Sequence, residues 1–144
     1  MFQGYWNRPD ETASAFTDDG WFRTGDIVTM SDDGYVTIVD RIKELIVTGG
    51  FKVAPSEVEH ALVSTGLVVE AAVVGLPIAG GGEDVTAAVV LAPGAAFDEE
   101  TLRERCRETL AAYKVPKRIV VVDELPKNLI GKTLRRKVRE RLLP

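Results

Sequence analysis

Three stretches of the chain combine residue types and spacings that could do chemistry. In Gly20-Trp21-Phe22-Arg23-Thr24-Gly25-Asp26 a carboxylate follows a Thr-Gly turn. An acidic residue so placed can be offered to a vicinal diol, as acidic residues are to ribose in nucleotide sites. Gly-Asp turns also serve plain structural loops, so this stretch alone identifies nothing. The second stretch runs Asp40-Arg41-Ile42-Lys43-Glu44 and on to Thr48-Gly49-Gly50-Phe51-Lys52-Val53-Ala54-Pro55-Ser56-Glu57-Val58-Glu59. The third is Leu125-Pro126-Lys127-Asn128-Leu129-Ile130-Gly131-Lys132-Thr133-Leu134-Arg135-Arg136-Lys137. A Lys that follows a Gly in an irregular loop, as Lys132 does, can swing a point charge onto developing negative charge. The bland alternative is one more cation in a basic helix.

Other chemistries find no support. Cys106 is the single cysteine and His60 the single histidine, so neither a disulfide framework nor a His/Cys zinc site is available, and no metal site is expected. His60 has no neighbouring nucleophile and reads as a helix-surface residue. Gly80-Gly81-Gly82 is not followed by Lys-Ser/Thr, so it reads as a strand connection rather than a phosphate loop. Cys106 falls on an apolar helical stripe and reads as core.

The elements that must hold these stretches follow from pattern. A short helix is expected at 10–16 in a loop-dominated segment. Ile27–Met30 and Tyr35–Val39 flank Ser31-Asp32-Asp33-Gly34 and read as a hairpin. The polar break at Asp40–Lys43 marks a domain boundary, giving units 1–40 and 41–144. Leu45-Ile46-Val47 and Phe51-Lys52-Val53 form a smaller hairpin around Thr48-Gly49-Gly50. Pro55 opens a helix, Ser56 and Glu59 have capping-box spacing, and Gly66 ends it. Strands are expected at 70–76, 85–91 and 118–122. Asp98 caps a helix whose buried face carries Leu102, Cys106 and Leu110. Leu134, Val138 and Leu142 define a last amphipathic helix. The expected class is α+β: a mostly antiparallel three-stranded sheet with helices packed on it and a small hairpin, preceded by a separate β-hairpin.

With 144 residues, 45% of them hydrophobic and 28% charged, the chain can bury a core without metal or disulfide staples. Net charge is −4, unevenly spread: residues 114–141 carry ten Lys or Arg against three acids, a net of +7. A basic end suggests an anionic partner or a solvated helix face. Nucleic acid is not expected, because no aromatics interleave the cations and the whole chain is acidic. No apolar run reaches membrane-spanning length, and the first residues lack a basic and an apolar leader region. The expected compartment is the cytoplasm.

In this order the three stretches resemble the adenylate-forming superfamily of acyl- and aryl-CoA synthetases, luciferases and peptide synthetase adenylation domains. The likeness covers essentially the whole chain. Residues 1–40 resemble the end of the family's large N-terminal domain, as its β-hairpin remnant, and 41–144 its mobile C-terminal domain. Gly49–Glu59 is similar to the acyl-CoA ligase branch. The resemblance implies a two-step reaction. A carboxylic acid and Mg²⁺-ATP give acyl-AMP, then coenzyme A gives a thioester, with the C-terminal domain rotating between steps.

By the same resemblance Asp26 binds the ribose hydroxyls and Arg41 contacts the nucleotide. Lys43 sits at the hinge. Gly49 and Gly50 approach the pantetheine arm of CoA, lacking side chains that would keep it away. Lys52 lies near phosphates, and Lys132 is the catalytic Lys of the adenylation step. Gly82-Glu83 matches a structural Gly-Glu pair. The family's phosphate loop and acyl pocket find no match here, so the chain is expected to be a fragment, inactive alone, reaching its acid through the missing domain and binding no Mg²⁺ itself. Two alternatives stand beside this: the tail of a peptide synthetase adenylation domain serving a carrier protein, and a free-standing nucleotide- or CoA-binding module.

Overall fold

The structure is a computed structural model that describes residues 2–143. The chain divides between Lys43 and Glu44 into two compact units. In the first, Pro9–Ala15 forms helix α1, with Pro9 at its first turn, where a missing N–H costs nothing. Strands β1 (Asp26–Met30) and β2 (Val36–Arg41) pair antiparallel across the turn at Gly34. Strand β2 continues through Arg41, which stands opposite Asp26, so the division falls at the end of the polar break, after Lys43, rather than after residue 40. Phe2, Tyr5, Phe16 and Phe22 form an aromatic cluster with ring centroids 5.2–5.7 Å apart.

The second unit is built on a three-stranded sheet. Strands β3 (Ile46–Thr48) and β4 (Phe51–Val53) form the expected small hairpin. Helix α2 (Pro55–Ser64) leads into β5 (Val68–Pro77) and β6 (Glu83–Leu91), a long antiparallel pair. Helix α3 (Glu99–Arg107) carries the chain to β7 (Arg118–Val121), which lies parallel to β6 because a crossover separates the two. Helix α4 (Arg135–Leu142) closes the unit. The sheet order is β5-β6-β7, which leaves β5 an edge strand.

Alternation along β5 and β6 divides the core. Val73, Val85, Ala87 and Val89 join Val58 and Leu62 of α2 and Leu102 and Cys106 of α3 on one face. Ala72, Val74 and Ala88 meet Val138 and Leu142 of α4 on the other. The small alanines allow α4 to approach closely. The Asp98 cap is present: its Oδ1 accepts from Glu100 N at 3.1 Å and Thr101 N at 3.4 Å. Ser56 is not the N-cap of α2. Ala54 is the N-cap of α2, without a side-chain cap bond. The Glu59 carboxylate instead turns to β5 and α4, as described below, because a charged donor and an edge N–H compete for it.

Candidate functional site

Lys132 sits in the loop between β7 and α4, and the loop is a built structure. Lys127 and Thr133 form a single β-bridge, and Leu134 N donates to Pro126 O at 2.8 Å. Inside it, Asn128 Oδ1 accepts from Ile130 N at 3.1 Å and from Lys132 N at 2.8 Å, while Asn128 N donates to Lys132 O at 2.9 Å. An Asn side chain that mimics a backbone turn in this way closes a loop without help from distant residues. Gly131 takes φ +80, a left-handed conformation that a side chain would strain. Sequence reasoning assigned Asn128 no role, although an Asn four residues before Lys132, with Gly131 between, is an Asx-turn signal.

The charges around this loop are arranged unevenly. Lys127 pairs with Glu70 at 2.7 Å, Lys114 with Glu57 at 2.6 Å, and Arg139 with Glu83 at 2.9 Å. Arg135 holds Glu59 in a two-pronged contact, Nε to Oε1 at 2.8 Å and Nη2 to Oε2 at 2.7 Å, and also binds Glu44. Four of the ten cations of the basic C-terminal segment are therefore paired with acids from residues 44–83. The basic face is thus partly engaged in pairs across the unit and partly left to solvent or a ligand. Lys132 is exposed and makes no ion pair among the described residues. A Lys left unpaired beside paired neighbours is a charge available to a ligand. Its loop also exposes Leu129 and Ile130 fully or nearly so.

Gly49 and Gly50 form the two-residue turn of the β3–β4 hairpin, at φ +55 and +82. Successive left-handed residues of this kind match the twist of a tight hairpin. No neighbouring atom lies within 4 Å of where a Cβ on Gly50 would sit, so the turn's outer surface is open. Lys52 is exposed on β4. Phe51, beside the turn, stacks on Tyr113 with centroids 4.4 Å apart.

In the first unit, Asp26 is largely buried and Arg41 Nε lies 3.2 Å from its Oδ1. The contact is close enough for an ion pair but not aligned as a hydrogen bond, so Oδ1 is buried without a hydrogen-bond donor among the described residues. A buried acceptor without a donor is costly and fits a ligand hydroxyl. Arg41, Lys43, Arg23 and Arg8 line an open cleft of 740 Å³ in this unit. Lys43 lies in the short 3₁₀ turn Ile42–Glu44, at the point where the two units divide. The sequence-predicted residues therefore fall into three places: Asp26 with Arg41 and the nearby Lys43, the Gly49-Gly50 turn with Lys52, and the Lys132 loop. Among the described residues no group of three or more His, Cys, Asp or Glu could hold a metal ion. No helix among them is long and apolar enough to cross a membrane.

Comparison with known proteins places the fold and family. The chain is 43% identical over 140 residues to long-chain-fatty-acid–CoA ligase FadD13 of Mycobacterium tuberculosis, covering 97% of this chain and 27% of that protein. It is 49% identical over 142 residues to 2-succinylbenzoate–CoA ligase of Geobacillus kaustophilus, covering 99% and 29% respectively. The crystal structure of ATP-bound MatB from Rhodopseudomonas palustris superposes with a TM-score of 0.90 at 44% identity, over 98% of this chain and 28% of that one. The chain thus spans less than a third of the length of the relatives it matches. The profile of the AMP-binding enzyme C-terminal domain matches residues 57–132, from helix α2 to the exposed lysine. Because that match covers more than half of the chain, including the three strands of its sheet, the chain belongs to the AMP-binding enzyme C-terminal domain family.

Proposed function

We propose that this chain is the C-terminal part of an ATP-dependent acyl-CoA ligase. Such an enzyme joins a small-molecule carboxylic acid to AMP, releasing pyrophosphate, and then transfers the acyl group to the thiol of CoA. The observation that carries this reading is Lys132, exposed and without an ion pair among the described residues, in a loop whose backbone at Lys132 is fixed by Asn128. An ammonium held there by a preformed backbone can meet the charge that develops between a carboxylate and the α-phosphate. The Gly49-Gly50 turn supports the second step, since an open glycine pair lets the pantetheine arm pass along the backbone. Lys52 on the adjoining strand is assigned to CoA phosphate.

Asp26 Oδ1, buried and lacking a donor, suits a ribose hydroxyl, and Arg41 beside it suits the nucleotide. Lys43 is assigned as the hinge, because the units divide there and backbone rotation at one residue suffices to reorient a domain. Residues 1–40 are assigned to the end of a larger domain. In support, β1 and β2 leave Met30, Val36 and Ile38 more than half exposed, as a ribbon covered by further chain would. Mg²⁺ enters with the ATP phosphates and is given no ligand from this chain. Its lone buried thiol fits a reducing cytoplasm, and no nucleic-acid role is assigned.

The test uses the full-length ligase. Lys132→Ala is expected to slow pyrophosphate release by about 10²–10³-fold, while thioester formation from supplied acyl-AMP continues. Equal loss of both half-reactions overturns the assignment. The isolated chain, given ATP, Mg²⁺, CoA and a panel of carboxylic acids, is expected to release no pyrophosphate.

A further inference from the structure

We propose that Arg135 is a positioning residue for Lys132, fastening the root of the lysine loop to helix α2 and to the start of its own unit. The proposal rests on the catalytic reading of Lys132 given above. Within the loop, Asn128 and the Lys127–Thr133 bridge fix the shape of the turn. They do not fix its direction relative to the sheet. That depends on the two roots. On the incoming side Lys127 pairs with Glu70 of β5, both partners about 40% exposed, and such a pair is weak. On the outgoing side Arg135, the first residue of α4, is one-quarter exposed and Glu59 one-fifth. Its two-pronged, partly buried contact is the stronger kind.

Glu59 is itself held. Its Oε1 accepts from Val73 N at 2.8 Å, an N–H on the edge strand β5. Helices α2 and α4 pack on opposite faces of the sheet, so the Arg135–Glu59 contact passes around the β5 edge and ties the two layers together. The third prong reaches Glu44, the residue after Lys43. One guanidinium therefore connects the residue next to the proposed hinge with a helix that begins three residues after Lys132. Rotation at the hinge then carries the Lys132 loop as part of one body, so its ammonium arrives in a set orientation. A lysine at 135 has no fork and could satisfy only part of this contact.

The test compares Arg135→Gln and Arg135→Lys in the full-length ligase. A displacement of about 1 Å at a reacting group can cost on the order of 10²-fold in rate. Arg135→Gln is expected to lower kcat of pyrophosphate release by roughly 10- to 100-fold with little change in KM for ATP. Thioester formation from acyl-AMP is expected to continue, and Arg135→Lys to fall between. Glu59→Gln should act in the same direction, and the double variant should be no worse than the poorer single one. Arg139→Gln, which breaks the Arg139–Glu83 pair further along α4, is the control and is expected to leave the adenylation step unchanged. If Arg139→Gln and Arg135→Gln reduce that step alike, Arg135 only stabilises the helix and the proposal fails.

A second measurement stands apart from catalysis. In the present chain, amide hydrogen exchange at Lys132 and Leu134 is expected to quicken in Arg135→Gln and not in Arg139→Gln. Unchanged exchange in Arg135→Gln overturns the clamp. If exchange quickens but Lys132→Ala leaves pyrophosphate release intact, the clamp stands and the catalytic reading of Lys132 falls.

Discussion

Gly75→Ala gives a test of how the hairpin, the sheet and α4 are joined. Gly75 lies in β5 opposite Val85, with no left-handed φ, so its backbone accepts any residue. In a strand, alanine should then favour folding by about 0.5–1 kcal/mol through lower chain entropy. A Cβ at this position would, however, lie 2.4 Å from Glu83 Oε2 and 2.5 Å from its carboxyl carbon. The carboxylate must move by roughly 1 Å or more to reach ordinary contact. That carboxylate accepts from Val47 N at 3.2 Å and from Arg139 at 2.9 Å. Losing the hydrogen bond costs about 1 kcal/mol. Losing the pair, with Arg139 nearly half exposed, costs about 0.2–1 kcal/mol after screening. The balance is a net destabilisation of about 0.2–1.5 kcal/mol.

Removal of the obstacle reverses the sign. In a Glu83→Ala background, Gly75→Ala should stabilise by about 0.5 kcal/mol or more, a coupling of about 1–2 kcal/mol between the sites. Urea denaturation of the four chains, followed by far-UV circular dichroism, measures it. The same loss from Gly75→Ala in both backgrounds would refute the reasoning, since the penalty would then lie in the backbone.

Two further outcomes follow from buried and capping groups. Cys106 is buried in the core and burial pushes its thiol above the usual range, so the native chain should resist alkylation at mildly alkaline pH and label fully in denaturant. Rapid labelling of folded protein contradicts that packing. Asp98 is held below the ordinary carboxylate range by the Thr101 hydroxyl first, then by the backbone N–H groups of Thr101 and Glu100. A depressed folded-state value means that its stabilising effect is present at neutral pH and is lost as pH falls through that value. Asp98→Ala should therefore lower the melting temperature at pH 7, with the gap closing in acid. A gap independent of pH would show that the carboxylate does not act as the cap.

The readings that held rest on local rules. The Asp98 cap and the left-handed Gly49-Gly50 turn are decided within a few residues, and so could be read from them. The stripe of Leu102, Cys106 and Leu110 was legible because one helix face must be apolar to be buried. Glu59 was misread for the opposite reason. Its spacing from Ser56 satisfies a local rule, but its partners are Val73 and Arg135, the latter 76 positions away. Nothing near Glu59 announces a guanidinium from the far end of the chain. The basic segment shows the same limit, since charge counted along a sequence does not tell which four of its ten cations fold against acids. The parallel pairing of β6 with β7 also lay beyond pattern, because a strand's hydrophobic alternation does not encode the direction of its neighbour.

By itself the sequence determined the element types and the apolar faces, because periodicity, caps and glycine turns act over short range. Only the tertiary structure decided which of the many cations stay free. Lys114, Lys127, Arg135 and Arg139 are engaged by carboxylates brought in from α2, β5, β6 and the start of the unit, and Lys132 is not. The physical reason is that a charge's role depends on its distance to other charges in space, which only folding sets.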